Sequence, residues 1–147
     1  MPVVKGCNLP DELFYDVPNN LWYRPEADGT YTVGMTVIAT GMAGALVAFT
    51  PKKAGKTIEG GKSVATIESG KWVGPAKIGF DAEIVAVNDV LGGNPKLANT
   101  DTYGQGWMVR VKPVDASKPA TVLVPGTAVA APYEAKMEAD AFAGCAA

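Results

Sequence analysis

The chain of 147 residues contains no histidine. This removes the side chain that most often acts as a general base near neutral pH and most often binds metals. Cysteine is scarce: Cys7 and Cys145 sit near opposite ends and match no zinc-ligand spacing. Two readings stay open for them, a disulfide between the ends or two idle thiols. Idle thiols are the expectation for a cytoplasmic protein. An excess of positive charge is also missing. Thirteen Lys and Arg against fifteen Asp and Glu give a net charge of -2. That leaves no electrostatic footprint for nucleic acid and no reason to bind an anionic membrane. Met1 to Pro10 lacks the apolar core and cleavage site of a secretory signal, so a cytoplasmic location is expected. Gly55-Lys56-Thr57 lacks the first glycine of a phosphate-binding loop, because Thr50 stands five residues upstream.

What is present is β-rich and punctuated. Seventeen glycines and eleven prolines are spread along the chain and read as frequent turns. Gly29 to Pro51 carries no charged residue, and a run of about 20 apolar residues would suffice to cross a bilayer. Tyr31, Val33, Met35 and Val37 alternate with Thr32, Gly34, Thr36 and Ile38, however, so a strand from Thr30 to Ala39 is predicted instead. Further strands are predicted at Leu21 to Arg24, Ala45 to Phe49, Ser63 to Glu68, Trp72 to Ala76, Glu83 to Asn88 and Trp107 to Lys112. Asp28-Gly29 signals a hairpin turn. A short helix is predicted at Pro10 to Tyr15, because Pro10 suits a first turn and Asp11 and Glu12 suit the positive end of a helix dipole. Another short helical piece falls between Asn88 and Leu97. Pro113 to Pro125 reads as an irregular surface excursion. A C-terminal helix is predicted at about 132–144, with Tyr133, Met137 and Ala141 on one face and Gly144 at its end. Short strands with helices at the ends suggest one small β-sandwich or barrel domain.

Glu68-Ser69-Gly70-Lys71-Trp72 joins two of these strands. Gly70-Lys71 fits a type II′ turn in which glycine takes the positive φ and Lys71 projects into solvent. A stiff tip with a mobile amine suits a modification site. The bland alternative is an ordinary exposed lysine on a turn.

The surrounding residues carry a family pattern. Glu68-Ser69-Gly70-Lys71, Gly61 ten residues before the lysine, Asp28-Gly29-Thr30-Tyr31-Thr32-Val33-Gly34, Asn94-Pro95-Lys96-Leu97-Ala98-Asn99 and Tyr103-Gly104-Gln105-Gly106-Trp107 follow one another in order. In this the chain resembles the H protein of the glycine cleavage system, a lipoyl carrier. The resemblance covers about 21–115 and, more loosely, the C-terminal helix. It implies a mainly β barrel-sandwich hybrid with short peripheral N- and C-terminal helices, covalent lipoate on Lys71, and modification by a lipoate ligase or lipoyl transferase. It implies a non-catalytic carrier, in which tethering supplies high local concentration and the cofactor and partners supply the chemistry. A biotin carrier would show Met-Lys-Met at the tip.

Three positions depart from the pattern: Gly70 where valine is usual, Trp72 where alanine is usual, and Ala82 where a turn glycine is usual. The Glu-Ser-Gly-Lys-Trp tip and a cysteine near each end resemble a branch of lipoate-binding proteins that serve a heterodisulfide-reductase-like complex in sulfur oxidation. That branch is the expected role, with Cys7 and Cys145 as possible redox residues. The H protein of glycine cleavage, carrying aminomethyl groups among the glycine cleavage enzymes, is the alternative. An unmodified binding module on the same scaffold is the second alternative. Trp72 either stacks on a partner or shields the dithiolane, or else caps a local apolar cluster.

Overall fold

The structure is a computed structural model and describes residues 3–145. Strands dominate. A two-stranded ribbon, β1 (Val3–Val4) and β2 (Cys7–Asn8), is followed by β3 (Phe14–Asp16), β4 (Leu21–Pro25) and β5 (Tyr31–Met35). Helix α1 (Val37–Ala43) leads to β6 (Leu46–Pro51), β7 (Thr57–Ile58), β8 (Ser63–Ser69), β9 (Val73–Lys77) and β10 (Ala82–Val87). Helices α2 (Asp89–Gly93) and α3 (Leu97–Thr100) precede β11 (Trp107–Pro113). The chain closes with α4 (Pro119–Val122), β12 (Val124–Pro125) and α5 (Ala130–Ala139). A seven-stranded sheet runs β12-β3-β4-β5-β11-β10-β7, and a three-stranded sheet runs β6-β8-β9. One apolar cluster joins the two: Tyr23, Val33, Ile84 and Val109 from the large sheet meet Phe49, Val64, Ile67 and Ala76 from the small one.

Period-two patterning explains the small sheet. In β8, Ala65, Ile67 and Ser69 are buried while Thr66 and Glu68 are exposed. Val64 has the parity of the exposed set and is buried all the same. A register shift between Ser63 and Ala65 turns it inward. The predicted turn at Asp28-Gly29 is present, with Gly29 at φ +85° and the Asp28 carboxylate accepting from Thr30 N at 3.0 Å.

Four sequence expectations are corrected. Pro10 to Tyr15 is not a helix. Tyr15 pairs with Trp22 across β3 and β4, and its hydroxyl donates to Pro10 O at 2.8 Å. Both edges of β3 are paired, one with β4 and the other with β12, which outweighs a favourable first turn. There is accordingly no N-terminal helix of the expected kind among the described residues.

The strand from Thr30 stops at Met35. Thr36 then caps α1, its Oγ1 accepting from Ala39 N at 3.2 Å, and Gly44 closes the helix at φ +86°. The alternation through Val37 and Ile38 is incidental, because Ile38 and Ala43 bury one side of a helix. Helix α5 ends at Ala139, with Ala141 at φ +55° reversing the chain before Gly144 is reached. Part of the 113–125 excursion is ordered as α4 and β12, and β12 extends the large sheet beside β3.

Candidate functional site

Lys71 sits at the tip of the β8–β9 hairpin. The tip is fixed on two sides: Glu68 pairs with Val73 across the hairpin, and Ser69 pairs with Leu46 of β6. Ser69 N donates to Trp72 O at 2.7 Å and Lys71 N donates to Ser69 Oγ at 3.3 Å. The turn therefore rests on the buried Ser69 hydroxyl. Gly70 does not adopt positive φ, so the type II′ expectation is corrected. A Cβ on Gly70 would meet nothing within 4 Å. Serine reaching the backbone two residues ahead is a local alternative to the glycine turn.

The Lys71 side chain is exposed and, among the described residues, its Nζ has no hydrogen bond or ion pair. Its Cε lies over the glycine that caps α1, 3.3 Å from where a Cβ of residue 44 would stand. Asn99 holds this seat in place. Its Oδ1 accepts from Leu46 N at 3.0 Å and its Nδ2 donates to Gly44 O at 3.0 Å. Sequence reasoning quoted Asn99 only as part of a motif, and it missed Gly44 as the lysine's rest. A glycine ending a short capped helix was the available signal.

Beside Lys71 opens a groove of about 430 Å³, walled by Leu21, Met35, Met42, Ile67 and Trp72 among others. Asn20 reaches the same groove from φ +57°, and its buried Oδ1 has no hydrogen-bond partner. Trp72 is 41% exposed and lies so closely on Gly74 that a Cβ there would overlap its ring. The indole walls the groove with one side and faces solvent with the other. Glu68 and Gly70 are exposed at the tip, whereas Ser69 is buried. Ala82 is buried in β10, paired with Pro113 and Ile58.

Four groups with raised ionisation lie in the core. Burial holds the hydroxyls of Tyr15, Tyr23 and Tyr133 well above the ordinary phenol range, and burial raises the Asp16 carboxyl. All four residues are essentially inaccessible, so none can meet an outside molecule directly.

Cys7 and Cys145 are bonded as a disulfide with Cα atoms 5.0 Å apart. The expectation of two idle thiols is corrected: the β1–β2 ribbon turns Cys7 into the core while Cys145 N, donating to Lys5 O at 3.0 Å, brings the other end alongside. The structure does not bring either cysteine into the groove wall beside Lys71.

This arrangement, a free amine on a rigid hairpin tip next to an apolar groove, suits a carrier that presents a tethered group. A lipoyl group fits what is there: the Lys71 amine is unengaged for amide formation, and the adjoining walls are aliphatic and thioether side chains suited to an aliphatic arm. A sequence profile of the glycine cleavage H-protein family matches residues 13–136, and the chain belongs to that family. It is 54% identical over 128 residues to "Glycine cleavage system H protein 5" of Aquifex aeolicus (strain VF5), with 84% of this chain and 86% of that protein covered. It is 40% identical over 131 residues to the "Glycine cleavage system H protein" of Cronobacter sakazakii, with 89% and 97% covered. The crystal structure of a glycine cleavage system H protein from Mycobacterium marinum superposes with a TM-score of 0.72 at 28% identity, covering 88% of this chain and 98% of that one. The barrel-sandwich architecture, the lipoate cofactor and the non-catalytic carrier role are those of this family. The relatives' names favour the glycine cleavage alternative over the sulfur-oxidation expectation.

Proposed function

We propose that this chain is a single carrier domain whose Lys71 bears lipoate in amide linkage, and that it serves glycine cleavage by moving aminomethyl groups among partner enzymes. The observation that carries the reading is the unengaged Lys71 amine on a two-sided, hydrogen-bonded tip. The lysine supplies the attachment point. Ser69 and Asn99 hold the tip and its seat, and the groove walls give an apolar surface beside the arm. The lipoyl group, when attached, supplies dithiolane chemistry, and partner active sites supply catalysis. A lipoate ligase or lipoyl transferase installs it. The working compartment in this reading is the cytoplasm; no described helix is long and apolar enough to cross a membrane.

Co-expression with a lipoate ligase tests the attachment. Intact mass should show one lipoyl adduct on the wild type and none on Lys71→Ala; an unmodified wild type with several ligases sinks the reading. Purified lipoylated chain should then support glycine-dependent CO₂ release by glycine decarboxylase.

A second reading, service to a heterodisulfide-reductase-like complex in sulfur oxidation, is favoured by one observation. Two of the three departures from the family pattern, Gly70 and Trp72, flank Lys71 at the presented surface, while the third, Ala82, is buried in β10. In addition, Aquifex aeolicus has several such relatives, named H protein 5, 2 and 3, so that carriers of this family coexist within one organism. A lipoylated chain that fails with glycine decarboxylase, and co-purifies from its native cell with heterodisulfide-reductase-like subunits, would establish the second reading in place of the first.

A further inference from the structure

Helix α1 connects the disulfide to Lys71. Cys145 Sγ lies 3.9 Å from Val37 O, in the first turn of α1. The Phe142 ring lies over Gly41, where a Cβ would come within 3.0 Å of its Cζ. Lys71 lies over Gly44 at the other end. Val37, Gly41 and Gly44 stand at i, i+4 and i+7, which is one face of a helix. The segment 142–145 and the Lys71 side chain thus cover successive turns of the same face. At about 1.5 Å per residue the ends of this track are about 10 Å apart.

Helix α1 has seven residues, too few to hold itself together in water. Ile38 and Ala43 pin its inner side in the core. Val37, Met42, Phe142 and Cys145 all pack against the cluster that contains Cys7. The same helix supplies Ala39, Met42 and Ala43 to the groove beside Lys71. The covering segment has few other holds: Cys145 N donates to Lys5 O at 3.0 Å and Phe142 N to Met137 O at 2.9 Å. The Lys5–Glu138 ion pair is a 3.9 Å surface contact and contributes little.

We propose that Cys7–Cys145 is a redox site of this carrier, opened by small dithiols, and that its state sets the order of α1 and with it the seat of Lys71 and one wall of the groove. Cys145 is partly exposed and takes the attack of an incoming thiolate; Cys7 is fully buried and is the leaving group. The second thiol of the same dithiol then displaces Cys145. The dithiol closes to a cyclic disulfide, and both cysteines are left as thiols, so two electrons and two protons pass to the protein. Reduced lipoyl groups are dithiols of this class. A disulfide in a reducing compartment is usually transient or redox-sensing, which agrees with this role. The meaning for carriage rests on the lipoyl reading of Lys71; the coupling through α1 does not.

The experiment uses the full, unmodified chain and hydrogen–deuterium exchange by mass spectrometry. Three states are compared: oxidised, reduced with dithiothreitol under native conditions, and reoxidised. Protection of the α1 amides, Thr40 and Gly44 among them, should fall by about tenfold or more on reduction and return on reoxidation, while β4, β5 and β11 stay protected. In the same samples, acetylation of the Lys71 amine by a small reagent, read by peptide mass, should change rate with the state of the disulfide. Cys145→Ser should reproduce the reduced pattern without reductant. Unchanged α1 protection on reduction overturns the proposal. So does an equal loss over the whole sheet, which would make the disulfide a general staple, and so does resistance of the bond to dithiothreitol in the folded protein. Since no lipoyl group is present, failure here leaves lipoylation of Lys71 untouched, and failure of lipoylation leaves this test standing.

Discussion

Replacing Gly70 with alanine separates two accounts of how Lys71 is presented. A glycine holding positive φ would resist the change, since left-handed backbone costs an L-residue about 1–2 kcal/mol. Gly70 does not adopt that conformation, and a Cβ there meets nothing within 4 Å. What remains is the unfolded state: alanine has less freedom to lose on folding. Gly70→Ala should therefore be neutral or stabilise by about 0.4–1 kcal/mol. For a chain of this size that is a rise in Tm of about 1–4 °C. Urea unfolding followed by tryptophan fluorescence, without reductant so that the disulfide stays closed, gives the number. Modification of Lys71 by a lipoate ligase should proceed at the wild-type rate. A loss of about 1 kcal/mol or more would refute the Ser69-based turn and restore a glycine-dependent one. Gly74→Ala is the matched contrast on the same hairpin. Its Cβ would enter the Trp72 ring, so the indole must leave its place on the groove wall. A cost of about 1–3 kcal/mol and a shift in tryptophan emission are expected.

Other perturbations probe other parts. Asn99→Ala leaves Leu46 N and Gly44 O without their side-chain partner and should cost about 1–3 kcal/mol, with slower ligase modification of Lys71; wild-type modification kinetics would remove Asn99 from the site. Burial raises the Asp16 carboxyl above 3.8, so the folded protein keeps a proton that the unfolded chain has released, and stability declines as pH rises from 3.8 through the raised folded value. Denaturant midpoints of Asp16→Asn should lack that decline; identical pH profiles would contradict it.

The hairpin was legible because its signals are local. Alternation in Ser63 to Glu68, a small-residue turn and a second alternating run leave Lys71 no place but the tip. What was illegible depended on partners distant in sequence. The run through Val37 and Ile38 alternates like a strand, and only the Thr36 cap and the burial of Ile38 and Ala43 make it a helix. Pro10 to Tyr15 carries helix-start chemistry that loses to pairing of Tyr15 with Trp22. Gly70 lacks the positive φ that a Gly-Lys turn predicts, because the Ser69 hydroxyl, accepting from Lys71 N, supports the turn instead. The meeting of Cys7 with Cys145 follows from how the β1–β2 ribbon and the segment after α5 come together, which no spacing encodes. The seat of Lys71 on Gly44, held by Asn99, joins three separate stretches of chain and could be read only once they were folded together.

The central claim is that Lys71 carries the lipoyl arm. Peptide-mapping mass spectrometry of protein isolated from its native cell tests it most directly. The account predicts a lipoyl adduct on the peptide containing Lys71 and on no other lysine. An unmodified Lys71 in a cell that lipoylates its other carriers, or an adduct at a different lysine, would contradict it.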